Sequence, residues 1–113
     1  MPKIHPITLP EVNDVFNKVR KDQNEKGDPF GSNYDSGKLD SSLKTPFQAG
    51  FATLFYKGFV KKAAILFYLI IKNHSFNDGN KRMGVALLEF FCYKNRSNGK
   101  ELVAKITAKI VIL

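Results

Sequence analysis

The chain has no tryptophan and only one cysteine, Cys92, among its 113 residues. A single thiol excludes an internal disulfide. Its neighbours Leu87, Leu88, Phe91 and Tyr93 read as a packing environment, in which a free thiol behaves as a small hydrophobe. Long apolar runs are absent too. The longest, Ala63–Ile71, falls far short of the roughly 20 residues that a bilayer-crossing helix needs, so no membrane partner is expected. No basic start followed by a short apolar centre and a small-residue cleavage site reads as a secretory signal, and a cytoplasmic protein is expected. Runs of like charge are missing despite a net charge of +8 and a pI near 9.7. Such a total invites phosphate-bearing partners. No Lys/Arg run exceeds two residues, however. The cations therefore read as a solvated surface, or one that docks an acidic protein, in preference to a nucleic-acid face.

What is present fits one domain over residues 1–113, long enough for a single core in which ten phenylalanines supply much of the volume. Thr8, Pro10 and Glu11 form a capping-box pattern, and Val12, Val15, Phe16 and Val19 follow at helical spacing, which predicts a first helix over about residues 9–25. Residues 27–37, rich in Gly, Asp, Ser and Asn, predict a loop. Leu39 and Leu43 suggest a short helix ending before Pro46. Residues 47–56 (FQAGFATLFY) suit a small β-hairpin or an irregular flap. Residues 58–73 predict a central helix with Phe59, Ala63, Leu66, Phe67 and Ile70 on one face; Ile65, Leu69 and Ile71 fill others, so neighbours should surround it. A further helix is expected from about Asn80 to Tyr93 with Val85, Leu88 and Cys92 on one side. The tail ELVAKITAKIVIL reads as helix, although its Val and Ile content also allows a strand. The expected class is an all-α, compact helical domain with a small β-hairpin flap.

Between the central helix and the next lies HSFNDGNKR, His74 to Arg82. Buried polar groups without partners cost about 1–3 kcal/mol each, so this density beside the most apolar segment suggests a site. A helix beginning at Asn80 presents unpaired N–H groups and a partial positive charge. Gly79 permits positive φ and lets a ligand approach the backbone. Together they suit an anion, and Lys81 and Arg82 add full charges. Asp78 fits beside phosphates only if it holds a metal, and Mg²⁺ held by one carboxylate plus substrate phosphates is the usual arrangement. His74 suits a general base near neutral pH. Phe76 has no chemistry to offer and suits an anchor that pins the loop to the core. A zinc site would need more His or Cys than lie nearby. Taken singly, a His after a helix is most often a cap, and Asp-Gly-Asn is common turn chemistry. Taken together, the parts match phosphoryl-type transfer.

The stretch resembles the signature of the Fic/Doc family, HxFx(D/E)GNGRxxR in Fic enzymes, through His74, Phe76, Asp78, Gly79, Asn80 and Arg82. Upstream, YDSGKLDSSL and FVKKAAILFYLIIKN are similar to the matching parts of Doc-type proteins, so the resemblance covers roughly residues 30–98. Lys81 stands in place of the second glycine, and Val85 in place of the final arginine. Both changes resemble the death-on-curing (Doc) toxin branch, HxFxxANKR, with Gly79 for its alanine. In Fic enzymes the glycine admits the nucleotide diphosphate and the arginine braces it, so that AMP is transferred. The Doc resemblance implies instead a reversed ATP, its γ-phosphate passing to a protein hydroxyl, with the translation factor EF-Tu as target and translation arrested. It implies His74 as base, Asp78 as Mg²⁺ ligand, Gly79 and Asn80 as anion cradle, and Lys81 and Arg82 on the nucleotide phosphates. Residues 47–56 lie where Fic proteins carry a flap that aligns the target by strand addition. No [S/T]xxxE[G/N] self-inhibitory pattern occurs, as expected where a separate cognate antitoxin inhibits. Two alternatives remain: a Fic-like adenylyltransferase, against which Lys81 and Val85 argue, and a non-catalytic basic binding module.

Overall fold

The computed structural model describes residues 3–25, 34–50, 53–54, 58–76 and 79–95. Among them run four helices, α1 (Leu9–Glu25), α2 (Ser36–Lys44), α3 (Phe59–Lys72) and α4 (Asn80–Lys94). A 3₁₀ turn at Thr45–Phe47 extends α2 and leads into a minimal antiparallel ladder of β1 (Ala49–Gly50) and β2 (Thr53–Leu54), with Ala49 opposite Leu54 and Gly50 opposite Thr53. The domain is all-α, with the hairpin as its one short ladder among the described residues. The expected C-terminal helix lies outside them. No described helix is long and apolar enough to cross a membrane.

α1 spans the expected residues, and its start follows the expected chemistry. Thr8 N–H and Oγ1 donate to Glu11 Oε1 at 2.9 and 3.0 Å, and Glu11 N–H approaches Thr8 Oγ1 at 3.4 Å. This is a reciprocal capping box. Val12 and Phe16, four apart, are buried on its inner face. α2 begins earlier than the composition of residues 27–37 suggested. Asp35 caps it by accepting from Lys38 N–H at 3.0 Å, which draws Ser36 and Gly37 into the first turn. Leu39 and Leu43 are buried as expected, and Pro46 follows.

α3 and α4 pack against each other as the centre of the fold. α3 buries Ala63, Leu66, Phe67 and Ile70, while Ile65, Leu69 and Ile71 are half-buried and Val60 and Tyr68 exposed. The expectation of neighbours on every side is therefore not met among the described residues. On α4 the buried stripe is Met83, Gly84, Leu87, Leu88, Phe91 and Cys92, about one position round from the face that Val85, Leu88 and Cys92 suggested. Gly84 belongs to this stripe because a Cβ there would sit 3.1 Å from Phe67 Cε1, tighter than ordinary packing allows. Cys92 is buried, and burial, with a contribution from Glu89, pushes its thiol upward from its ordinary pKa, as suits a packing residue.

Two polar ties join distant segments. Lys94 Nζ reaches Glu11 Oε1 at 2.6 Å and Pro6 C=O at 2.9 Å, while Asn95 exchanges two hydrogen bonds with the His5 main chain at 2.6 and 3.0 Å. Both fasten the start of the chain to the end of α4. Lys62 is buried in α3; its ammonium donates to Pro46 C=O at 3.0 Å and lies 5.1 Å from the centre of the Phe47 ring. Burial lowers its pKa, and the contact holds the 3₁₀ turn before the hairpin against α3.

Candidate active site

The loop from α3 to α4 is built from both ends. α3 closes on Asn73, whose N–H donates to Leu69 C=O at 2.9 Å. The next residue, His74, has φ +49°, in the left-handed region where glycine usually ends a helix. A non-glycine residue there carries a cost of about 1–2 kcal/mol, and such strain persists where the surroundings dictate it. The surroundings here are Ser75 and Phe76. Ser75 C=O accepts from Asp35 N–H at 2.6 Å, and Phe76 forms an isolated antiparallel bridge with Tyr34. The Phe76 ring is 2 % exposed, packed 5.3 Å from Phe16 and 5.4 Å from Tyr34 between ring centres. The expected anchor is thus in the core, gripping the segment that carries an exposed His74.

The other end of the loop is closed by Asn80. Its Oδ1 accepts from Phe76 N–H at 3.0 Å and its Nδ2 donates to Phe76 C=O at 2.9 Å. Both polar atoms of the side chain thus shape the loop, and what Asn80 offers an anion is its main-chain N–H. Gly79 caps α4 at φ 76°, ψ 28°, with no side-chain oxygen supplying a cap bond. The first ladder bond runs from Met83 N–H to Gly79 C=O at 2.8 Å, so the N–H groups of Asn80 and Lys81 precede it. Lys81 and Arg82 are exposed on this first turn. Asp78 falls outside the described residues.

His74 lines an open cleft of about 690 Å³ with Gly37, Lys38 and Ser41 of α2 and Lys72 and Asn73 at the end of α3. Lys81 and Arg82, on the first turn of α4, are not among its described lining residues. Sequence reading missed Lys38, Ser41 and Lys72. Nothing in a sequence links positions 38 and 74, and only the packing of α2 against α3 joins them. Asn73 contributes by donating through Nδ2 to the buried Ser42 Oγ at 3.0 Å, and that hydroxyl donates to Lys38 C=O at 3.0 Å.

Among the described residues no three of His, Cys, Asp and Glu gather into a metal-holding cluster. Magnesium in nucleotide sites needs no such cluster, since one carboxylate and the substrate phosphates suffice. Asp78, the carboxylate expected to act in that mode, lies outside the described residues.

The model of the Fic/DOC family matches residues 2–92, which takes in all four helices up to the last turn of α4 and the whole of HSFNDGNKR. No curated protein and no solved structure matches the chain.

Proposed function

The chain belongs to the Fic/DOC family, whose members generally transfer nucleotide-derived groups to proteins with ATP and Mg²⁺ and are often paired with an antitoxin; from that premise we propose that it is a Doc-like toxin kinase. It passes the γ-phosphate of ATP to a protein hydroxyl, EF-Tu being the expected target, and is held in check by a cognate antitoxin. The observation that carries this reading is Lys81, exposed on the first turn of α4 ahead of the first ladder bond, where the Fic pattern has glycine. A long cation there obstructs the seat of a β-phosphate in the adenylylating pose. Val85 cannot make the bidentate phosphate contact of the arginine it replaces.

In the proposed reaction His74 takes the proton from the acceptor hydroxyl as its oxygen bonds to the γ-phosphorus. The bond from that phosphorus to the β,γ-bridging oxygen breaks, and ADP leaves. The N–H groups at the start of α4, with Lys81 and Arg82, bear the phosphate charge. Asp78 would hold Mg²⁺, which when bound neutralises charge on the phosphates. Asn80 keeps the loop closed through Phe76, and Phe76 keeps it in the core.

One observation favours a second reading, protein adenylylation: Gly79 is the Fic residue at a place where the Doc pattern has alanine. A bacterial lysate incubated with the chain and either γ-labelled or α-labelled ATP separates the two. Label should pass to a protein from γ-labelled ATP alone, and His74→Ala should lower transfer by about 10²–10⁴-fold, the usual worth of a general base. Transfer from the α-label alone would establish the adenylyltransferase, and transfer from neither would favour a non-catalytic binding module.

A further inference from the structure

The cleft beside His74 is basic on both edges, which transfer chemistry alone does not require. Lys38 stands on the α2 wall and Lys72 on the α3 wall. Among the described residues, the hydrogen bonds of Lys38 are made by its main chain, its N–H going to Asp35 and its C=O accepting from Ser42. Lys72 lies over the ring of Tyr68, 5.3 Å from its centre, a contact that positions an ammonium without neutralising it. No Asp or Glu is among the described lining residues. The described carboxylates of α2 and its cap are engaged: Asp35 caps α2, and Asp40 pairs with Lys44 at 2.8 Å. The chain of bonds from Asn73 through buried Ser42 to Lys38 C=O ties the two walls together, so the cleft has a set shape. Carboxylates spaced along a peptide would meet the ammoniums at the edges and leave a neutral hydroxyl at the centre.

We propose that this cleft is the acceptor subsite, and that Lys38 and Lys72 select target hydroxyls flanked by acidic residues. The proposal rests on the protein-modifying reading above and names its substrate class. The test uses the full chain without nucleotide and a fluorescein-labelled peptide with one central serine between glutamates, beside a twin with glutamines. Anisotropy should show the glutamate peptide bound about fivefold more tightly than its twin, the effect of two exposed ion pairs. Lys38→Glu with Lys72→Glu should erase the preference, as should the milder pair Lys38→Gln with Lys72→Gln. Lys18→Glu with Lys21→Glu, an equal change of net charge on exposed positions of α1, should keep it. No preference in the unaltered chain would overturn the proposal, as would equal losses in both Glu double variants, which would mark general attraction to a basic protein. Inorganic tripolyphosphate binding more tightly than the glutamate peptide, through the same two lysines, would make the cleft a phosphate site and overturn it as well. Because ATP is absent, a retained preference in a chain that transfers neither label would reject both transferase readings while leaving the selection of acidic peptides standing.

Discussion

Helices α1 and α4 begin in opposite ways. α1 opens on Thr8, whose hydroxyl and N–H close a ring with Glu11, and Lys94 seals the same carboxylate from outside. α4 opens on a left-handed Gly79 whose cap position shows no side-chain cap bond, and the Asn80 side chain reaches back to Phe76. A cap is worth about 1 kcal/mol, and α4 forgoes it. The difference separates a helix start closed by its own side chains from one that, in the proposed function, presents main-chain donors to a phosphate. Asn80 spends its side chain on the loop so that the loop, and not the helix end, is what its polar atoms stabilise.

That contrast can be tested at both ends. The largest effect should come from Phe76→Ala, which removes the ring holding the α4 side of the comparison in the core. Denaturant unfolding should show a loss of about 3–5 kcal/mol, and transfer should fall through lost loop geometry. An unchanged midpoint would show that Asn80 and the Tyr34 bridge suffice to hold the loop.

Gly79→Ala should cost about 1–2 kcal/mol, because φ 76° suits a Cβ poorly. Alanine is also the Doc-branch residue at this place, so γ-phosphate transfer should survive while the melting temperature falls. Loss of transfer with unchanged melting would reverse the assignment of what this residue does.

At the other end, Thr8→Ala should lower stability by about 1 kcal/mol and leave transfer at the level of the unaltered chain. A matching loss of activity would mean that the two helix starts are not separable.

The smallest effect is a pH dependence. Burial raises the Glu11 pKa, but the bonds from Lys94 and Thr8 outweigh it and hold the carboxyl below its ordinary value. A carboxylate with a depressed folded pKa contributes stability above its unfolded value, and that contribution is lost as pH falls through the folded one. Melting temperatures of the chain and of Glu11→Gln should therefore draw together below roughly pH 4 and separate above it. Parallel curves would show that Lys94 gains nothing from the charge.

Much of this was legible before any coordinates. The bounds of α1, the burial of Leu39 and Leu43 on α2, the break before Asn80 and the inward Phe76 all follow from local signals: a cap, a helical period, a glycine, an apolar residue among polar ones. The short hairpin fell within the expected flap. The α4 stripe lies about one position round from the expected face because a glycine carries no hydropathy, yet Gly84 packs tightly on Phe67 of α3. Asn80 was expected among the anion's neighbours, and its side chain proves to be occupied by Phe76.

By itself the sequence determined what depends on neighbours within a turn or two: where helices start and stop, which loop gathers the polar groups, and the motif that ties the chain to its family. Only the tertiary structure decided that Lys62 is buried against Pro46, that Tyr34 bridges Phe76, and that Lys38 and Lys72 line one cleft with His74. The physical reason is range. A capping bond or a helical stripe is complete within a few residues, whereas a cleft exists only once elements some thirty residues apart have packed, and no local propensity encodes which side chains will then share its walls.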